Sequence, residues 1–190
     1  MKYVDANAKV ADYQRQITDI RKKIDETRAA TEPQRVMDYE FKSPAGPVRL
    51  AQLFGVHEDL IVIHNMGTSC NACTMWADGY QGIHHHVIAR AAFVVSSPDS
   101  PEIQQKFAAS RSWTFSMVSH QGTTFAADMG YRSALGNWRP GISVFKRDGK
   151  NIVRVSDVGL QPHDDFCTVY HLFDLLPGGV GDWSPKLRYP

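Results

Sequence analysis

Apolar side chains in the first part of the chain recur at alternating steps of three and four residues. Within residues 5–30 these positions are Val10, Tyr13, Ile17, Ile20 and Ile24. The spacing predicts one amphipathic helix with a heptad-like seam, and Pro33 ends it. A seam of about two heptads is too short for a free-standing coiled coil. We therefore expect the helix to pack on the rest of the chain or on a second subunit.

Downstream, short apolar runs alternate with helical patterns. After an extended segment over 36–53, the run 60–63 predicts a buried strand, 74–90 a helix and 91–96 a second buried strand. Strand, helix and strand in this order form a right-handed parallel unit. The later pattern predicts a helix from Pro101, a short strand over 115–120, a short helix over 124–130, a hairpin over 142–155 and a last helix ending before Pro177.

The composition predicts a single domain with an appendage. The chain has 190 residues, of which 43% are hydrophobic, and its formal net charge of +1 favours neither nucleic acid nor an anionic membrane as partner. It carries no run of about 18 apolar residues and no signal-peptide pattern over 1–10. We therefore expect a cytoplasmic protein, with a helical extension over 1–34, a domain over 35–182 and a tail over 183–190.

The candidate chemistry lies where the first buried strand gives way to a helix. Cys70 and Cys73 follow a Gly67-Thr68-Ser69 turn, three positions apart. A C-x-x-C at a strand–helix junction indicates a thiol redox motif. Free backbone N–H groups and the positive end of the helix dipole stabilise a thiolate at such a position. The third cysteine, Cys167, falls in an apolar stretch and is expected to be a buried small hydrophobe.

Several segments together carry a resemblance to a known family. They are Tyr39-Glu40-Phe41, Leu53-Phe54-Gly55, Val62-Ile63-His64-Asn65-Met66, the stretch from Cys70 to Gly79, and Pro140-Gly141-Ile142-Ser143-Val144-Phe145. From about residue 5 to 182 the chain resembles a bacterial thioredoxin-like family of unknown function, related to thioredoxins and peroxiredoxins. The resemblance implies an α/β, thioredoxin-like fold: a central mixed sheet flanked by helices, with an N-terminal helical extension.

The resemblance also implies roles for individual residues. Cys70 would be the nucleophile and Cys73 the resolving cysteine, and Pro140 falls where thioredoxin-like proteins hold a cis proline facing the cysteines. His64 stands where thioredoxins bury an acid that helps deprotonate the resolving cysteine. An imidazole could transfer the same proton, so His64 is a catalytic candidate, although a buried, hydrogen-bonded histidine is the structural alternative.

The substrate side of the site is predicted from its neighbours. Thr68 would offer a hydroxyl, Arg139 would steer an anionic substrate beside Pro140, and Trp76 would form the rim of the site or part of the core. Thioredoxin's proline between the cysteines is missing here. The threonine that a peroxiredoxin places three residues before its reactive cysteine is also missing, because Gly67 holds that position.

A metal site is an alternative because three histidines, His84-His85-His86, follow the cysteines. Consecutive residues on a helix point about 100° apart, so all three cannot face one ion. We expect neither a metal nor a cofactor.

These patterns leave three functions open. The leading hypothesis is a thiol–disulfide oxidoreductase acting on a protein or small-molecule disulfide and reduced by an external thiol. The second is a thiol-dependent peroxide reductase, in which Cys70 forms a sulfenic acid that Cys73 captures. The third is a non-enzymatic metal-binding or scaffold module. In each case the N-terminal helix offers a route to a homodimer.

Overall fold

The computed structural model describes residues 1–190, which divide into two compact units, Met1–Gln34 and Arg35–Pro190. Helix α1 (Tyr3–Ala30) makes up most of the first unit, and none of its residues is buried. The side chains of its predicted seam are between 43% and 60% exposed. A homodimer through this helix stays a prediction. None of the helices combines the length and the apolar character that crossing a membrane requires.

The rest of the chain is built from short helices and a sheet. Its elements are β1 (Gln34–Val36), β2 (Glu40–Ser43), β3 (Gly46–Arg49), α2 (Leu50–Leu53), β4 (Asp59–His64), α3 (Asn71–Val87), β5 (Ala92–Ser97), α4 (Pro101–Ser110), β6 (Ser116–Ser119), α5 (Phe125–Asp128), β7 (Gly141–Asp148), β8 (Asn151–Gly159) and α6 (Thr168–Phe173). The predicted mixed α/β architecture is confirmed.

One sheet of eight strands, in the order β1-β8-β7-β4-β5-β6-β2-β3, runs through this unit. The strands β4, β5 and β6 are parallel, so their carboxyl ends meet at one edge of the sheet. The strand β7 is antiparallel to β4, and its first residue, Gly141, lies opposite His64 at the end of β4. This edge therefore receives the loop that carries the cysteines and the segment that contains Pro140.

Each face of the sheet buries its own apolar cluster. Alternate residues of β4 point to opposite faces, so Leu60 and Val62 enter one cluster and Ile63 enters the other. The first cluster is closed by rings from the segment around α5, among them Phe125 and Tyr131. The second packs against the apolar side of α3. The strands β4 and β5 are buried on both faces, which accounts for their continuous apolar runs.

Two elements differ from the sequence prediction. The last helix, expected to begin near Asp164-Asp165, begins only at Thr168. Both carboxylate oxygens of Asp164 accept backbone N–H groups, those of Gln161 and Phe166, at 2.9 and 2.8 Å, and form a turn instead. Helix α2 falls in the segment predicted as extended. At four residues it is too short for a periodic signal, and the Gln52 side chain caps it by accepting the Arg49 N–H at 2.7 Å.

Candidate active site

The loop between β4 and α3 is fixed by hydrogen bonds at both of its sides. The Asn65 N–H donates to the Ser96 carbonyl at 2.9 Å, and the Asn65 side-chain oxygen accepts the Gly67 N–H at 2.8 Å. The Asp99 carboxylate accepts the Thr68 N–H at 2.8 Å. Gly67 has φ +102°, and a Cβ on it would lie 3.0 Å from an Asp99 oxygen. Glycine is needed at this turn for both reasons.

The two cysteines meet at the beginning of α3. Cys70 is the N-cap residue, and its Sγ accepts the Cys73 N–H at 3.1 Å. The two sulfurs lie 2.6 Å apart, and both residues are free cysteines. Cys73 is 3% exposed, whereas Cys70 is only half-buried. The structure therefore presents one sulfur to solvent and holds the second beneath it.

The surroundings of the two sulfurs separate their acidities. The hydrogen bond from the Cys73 thiol lowers the pKa of Cys70 to about 7, helped by the backbone N–H groups of Cys73 and Ala72 and opposed by burial. Donating that hydrogen bond, together with burial, raises the pKa of Cys73. Near neutral pH about half of the Cys70 side chain is thiolate, while Cys73 keeps its proton.

His64 lies on the face of the sheet opposite to α3. Its Nε2 is 2.9 Å from the Ser143 Oγ, and its ring stacks on that of Tyr131 with 3.9 Å between centroids. It is 2% exposed, and this burial holds its pKa well below the ordinary value. The imidazole is therefore neutral in the folded chain. Its predicted role in proton transfer to or from Cys73 stays a prediction.

A second buried histidine lies on the same face and was not found from the sequence. His120 Nδ1 is 2.9 Å from the Oγ of Ser96, which lies opposite His64 in the β4–β5 register. Burial, with a smaller contribution from Arg132, lowers the pKa of His120 to about 4. One nitrogen of each ring, His64 Nδ1 and His120 Nε2, has no hydrogen-bond partner. The position of His120 directly after the parallel strand β6 is the sequence signal that could have identified it.

The remaining predicted site residues differ in their position and in their burial. Thr68 lies in the loop before Cys70, whereas the Trp76 side chain is 3% exposed and packs in the cluster beneath α3. Arg139 is exposed, and its N–H donates to the Tyr131 carbonyl at 2.9 Å. Pro140 precedes the residue opposite His64, so it reaches the same sheet edge as the cysteines.

The expectation of a cis proline is wrong, because the chain contains no cis peptide bond. The carbonyl of Pro140 accepts the Leu160 N–H at 3.1 Å, which continues the β7–β8 pairing by one step beyond Gly141. An extended segment paired in this way is compatible with the ordinary trans bond.

A partly buried ion pair between Asp78 in α3 and Arg111 was also not predicted from the sequence. Asp78 accepts Arg111 Nε at 2.8 Å and makes a second contact with Arg111 Nη2. The same carboxylate accepts the Trp113 indole N–H at 2.8 Å. Arg111 Nη1 donates to the Leu187 carbonyl at 2.8 Å, which fastens the last residues of the chain next to this pair.

The three consecutive histidines and Cys167 differ in their surroundings, because His85 and His86 are exposed whereas Cys167 is buried. The expectation that the chain holds no metal stays a prediction. No group of three or more His, Cys, Asp or Glu side chains that could hold a metal ion occurs over residues 1–190. The His84 ring lies 5.7 Å from the Phe93 ring, and His85 and His86 contact each other with 3.9 Å between ring centroids. Cys167 is buried, as expected for a small hydrophobe.

Comparisons with known proteins identify the family and the fold. The model of a family described as "Bacterial protein of unknown function (DUF899)" matches residues 2–187. Among curated proteins, none matches this sequence. Among solved structures, peroxidoxin BcpB of Mycobacterium tuberculosis is 24% identical, with a TM-score of 0.54 over 67% of this chain and 84% of its own.

Reduced Prx3 of Vibrio vulnificus, solved in complex with H2O2, is similar at 12% identity. Its TM-score is 0.55 over 70% of this chain and 87% of its own. At identities this low the likeness concerns the fold alone. It confirms the predicted thioredoxin-like fold.

Proposed function

We propose that this chain, which belongs to the DUF899 family of bacterial proteins of unknown function, is a thiol–disulfide oxidoreductase. One observation carries the proposal. The half-exposed Cys70 sulfur caps α3 and accepts the Cys73 N–H, with the Cys73 sulfur 2.6 Å away. The Cys73 thiol and the backbone N–H groups of Cys73 and Ala72 stabilise negative charge on Cys70, while the hydrogen bond to Cys70 and burial keep Cys73 protonated. Disulfide exchange requires one reactive thiolate and one protonated partner of this kind.

The reaction proceeds in two exchanges. The Cys70 thiolate attacks one sulfur of the substrate disulfide, so that the substrate S–S bond breaks, a Cys70–substrate S–S bond forms and the first substrate thiolate leaves. Cys73 then loses its proton and attacks the Cys70 sulfur, which releases the second substrate thiolate. The substrate is reduced by two electrons, and Cys70 and Cys73 end as a disulfide.

An external thiol completes the cycle. It reduces the Cys70–Cys73 disulfide by the same exchange chemistry, so the turnover needs no cofactor or metal. Substrates are disulfides of proteins or small molecules that can reach the carboxyl edge of the parallel strands. Thr68 follows β4 at this edge, and Arg139 and Pro140 precede β7 there, which supports their assignment to the substrate side.

The test is the pH dependence of Cys70 alkylation by iodoacetamide. A pKa of about 7 predicts that the rate rises with pH with a midpoint near 7, because only the thiolate reacts. Cys73→Ala removes the thiol donor and raises the midpoint by about one unit or more. A midpoint for the unsubstituted protein at or above that of free cysteine would contradict the proposal.

The second candidate is peroxide reduction, which the fold shared with Prx3 and peroxidoxin BcpB favours. Here the Cys70 thiolate attacks the hydroxyl oxygen of a peroxide, the O–O bond breaks, and Cys70 becomes a sulfenic acid. The leaving alkoxide or hydroxide takes a proton from solvent and departs as an alcohol or water. Cys73 then forms the disulfide with loss of water. Gly67 offers no hydroxyl three residues before Cys70. Peroxide consumption, with dimedone labelling of Cys70 in Cys73→Ser, distinguishes this route from disulfide exchange.

A further inference from the structure

A cleft lies beside the loop that carries Cys70. Its volume is about 420 Å³, and its lining residues are Thr68, Ile103, Lys106, Phe107, Ser110, Arg111, Leu187 and Arg188. Thr68 stands two residues before Cys70, and its N–H is bound by Asp99, so the wall it contributes is fixed. The loop that positions Cys70 therefore contributes one wall of the cleft.

The charges in the cleft are of one sign. Lys106, Arg111 and Arg188 line it, and no aspartate or glutamate does. Asp78 pairs with Arg111 and offsets one of these charges. Lys106 and Arg188 are exposed and leave an excess of positive charge at the mouth. Such an excess attracts anions and raises their local concentration.

The rest of the lining is apolar. Ile103 is 49% exposed, although it is a large hydrophobic residue, and Phe107 and Leu187 are each half-buried beside it. The hydrogen bond from Arg111 to the Leu187 carbonyl holds the far wall in place. An apolar surface with fixed walls and a cationic mouth suits a molecule that has an apolar body and a carboxylate.

We infer that this cleft binds a small, carboxylate-bearing disulfide with an apolar body and presents it to Cys70. The inference rests on the proposed function and names the substrate class of the same site. The volume falls in the range of about 300 to 1,000 Å³ typical of small-molecule sites. Charge complementarity sets the carboxylate against Lys106 and Arg188, and the apolar body lies against Ile103 and Phe107.

Dithiobis(nitrobenzoate) is a model for this class, because each aromatic half carries one carboxylate. Attack by the Cys70 thiolate breaks its S–S bond, forms a mixed disulfide with one half and releases the other half as a coloured thiolate. Cys73 then gives its proton to solvent and attacks the Cys70 sulfur, so that the Cys70–substrate S–S bond breaks, the Cys70–Cys73 bond forms and the second thiolate leaves. Dithiodipyridine undergoes the same exchange with aromatic halves that carry no carboxylate.

The experiment compares the rate constants for these two disulfides in the full-length protein. The double variant Lys106→Glu/Arg188→Glu reverses both charges at the mouth. We expect its reaction with dithiobis(nitrobenzoate) to slow by about tenfold or more, and its reaction with dithiodipyridine to change by less than about twofold. Added salt should slow the anionic reaction of the unsubstituted protein, because it screens the attraction, and should not slow that of the variant, whose reversed charges repel the anion.

A matched control makes the same change of net charge elsewhere. Lys146 lies opposite Asp59 at the beginning of β4, and Lys150 lies in the turn between β7 and β8, at the sheet edge away from Cys70. Lys146→Glu/Lys150→Glu should leave both rate constants within about twofold. Equal slowing by the two double variants would overturn the inference, as would an unchanged anionic rate in the cleft variant.

Binding of nitrobenzoate alone separates this inference from the proposed function. Nitrobenzoate is one half of the anionic disulfide without its sulfur, so it occupies the cleft without any thiol chemistry. If Cys70 reacts with neither disulfide, the proposed function fails. Loss of nitrobenzoate binding in Lys106→Glu/Arg188→Glu, but not in the control, would then still support the cleft as an anion site. Equal binding of nitrobenzoate by both double variants would show that the cleft is not an anion site.

Discussion

The thiol pair Cys70–Cys73 and the imidazole pair His64–His120 lie at the same end of the parallel strands. The pKa of Cys70 and the pKa values of both histidines are lowered, but for different physical reasons. At Cys70 hydrogen bonds from Cys73 stabilise the charged form of the side chain. At both histidines burial disfavours the charged form. The same direction of shift therefore produces an anion on one side of the sheet and neutral rings on the other.

In the proposed function the thiol pair carries the reaction, whereas the imidazole pair contributes to the stability of the fold. The thiol pair sits where a helix begins, so backbone N–H groups are available and the outer sulfur can reach solvent. The imidazole pair is enclosed by aromatic rings and serine hydroxyls, which suit uncharged groups. Variants at each pair should accordingly change different measured quantities.

The largest effect is expected at Cys70, the proposed nucleophile. Cys70→Ala should lower disulfide turnover by at least ~10³-fold, because no other sulfur is exposed at the helix start. Cys73→Ala should keep the first exchange and accumulate one mixed disulfide per chain, visible by mass spectrometry. If the Cys70→Ala variant still formed the mixed disulfide, Cys70 would not be the residue that attacks the substrate.

The imidazole pair should affect the free energy of unfolding rather than the rate of disulfide turnover. Both folded-state pKa values lie below the ordinary value of 6.5, so the fold is favoured above pH 6.5 and loses stability as pH falls towards 4, where the unfolded chain binds more protons. Each histidine contributes at most ~1.4 kcal/mol per pH unit. Urea unfolding between pH 7 and pH 5 measures this slope.

The control for that slope is the double variant His64→Gln/His120→Asn. Glutamine places a polar atom near the former Nε2 and asparagine near the former Nδ1, so the contacts to Ser143 and Ser96 can be kept. The variant should unfold with a flatter pH dependence. An unchanged slope would mean that groups other than these two histidines cause the pH dependence of stability. NMR titration of the two rings in the unsubstituted protein would then show protonation well above pH 5.

Packing around the imidazole pair gives the next effect. A Cβ on Gly141 would lie 1.8 Å from Cε1 of Tyr131, the ring that stacks on His64. Gly141→Ala should therefore lower the free energy of unfolding by ~1–3 kcal/mol, as overpacking does. Gly159 lies opposite Gly141 in β8 and has open space around it, so Gly159→Ala is the matched control with little expected loss. Equal losses of unfolding free energy in the two variants would mean that alanine destabilises these strands for a reason other than the contact with Tyr131.

The smallest expected effect tests whether the two pairs communicate. His64→Gln should leave the midpoint of Cys70 alkylation within ~0.3 pH unit, because hydrogen bonds from Cys73 and Ala72 set that pKa. Release of the second substrate thiolate, which needs the Cys73 proton to leave, should also change little. A tenfold slower release with an unchanged midpoint would establish the predicted proton transfer by His64 and join the two pairs into one site.

The parts of the molecule that follow from local pattern were predictable. The strand before the cysteines, the helix after them and the hairpin around Asp148-Gly149 each have a signal within a few neighbouring residues. The thiol pair was found for the same reason, since three positions on a first helical turn bring two sulfurs together.

The missed contacts join residues that are remote in the chain. Asp99 binds the Thr68 N–H from 31 residues away, and Arg111 reaches Asp78 from 33 residues away. His120 meets Ser96 only because β5 and β6 are neighbours in the sheet. No spacing rule encodes such pairings, because they depend on which elements the whole fold places side by side.

The hydrogen bond from Arg111 to the Leu187 carbonyl has a practical consequence for anyone who handles the protein. It makes the segment around Leu187 and Arg188 a wall of the cleft, so an affinity handle appended after Pro190 would sit next to the site being assayed. Removal of residues 186–190 by a protease would be expected to alter ligand preference before it altered the fold.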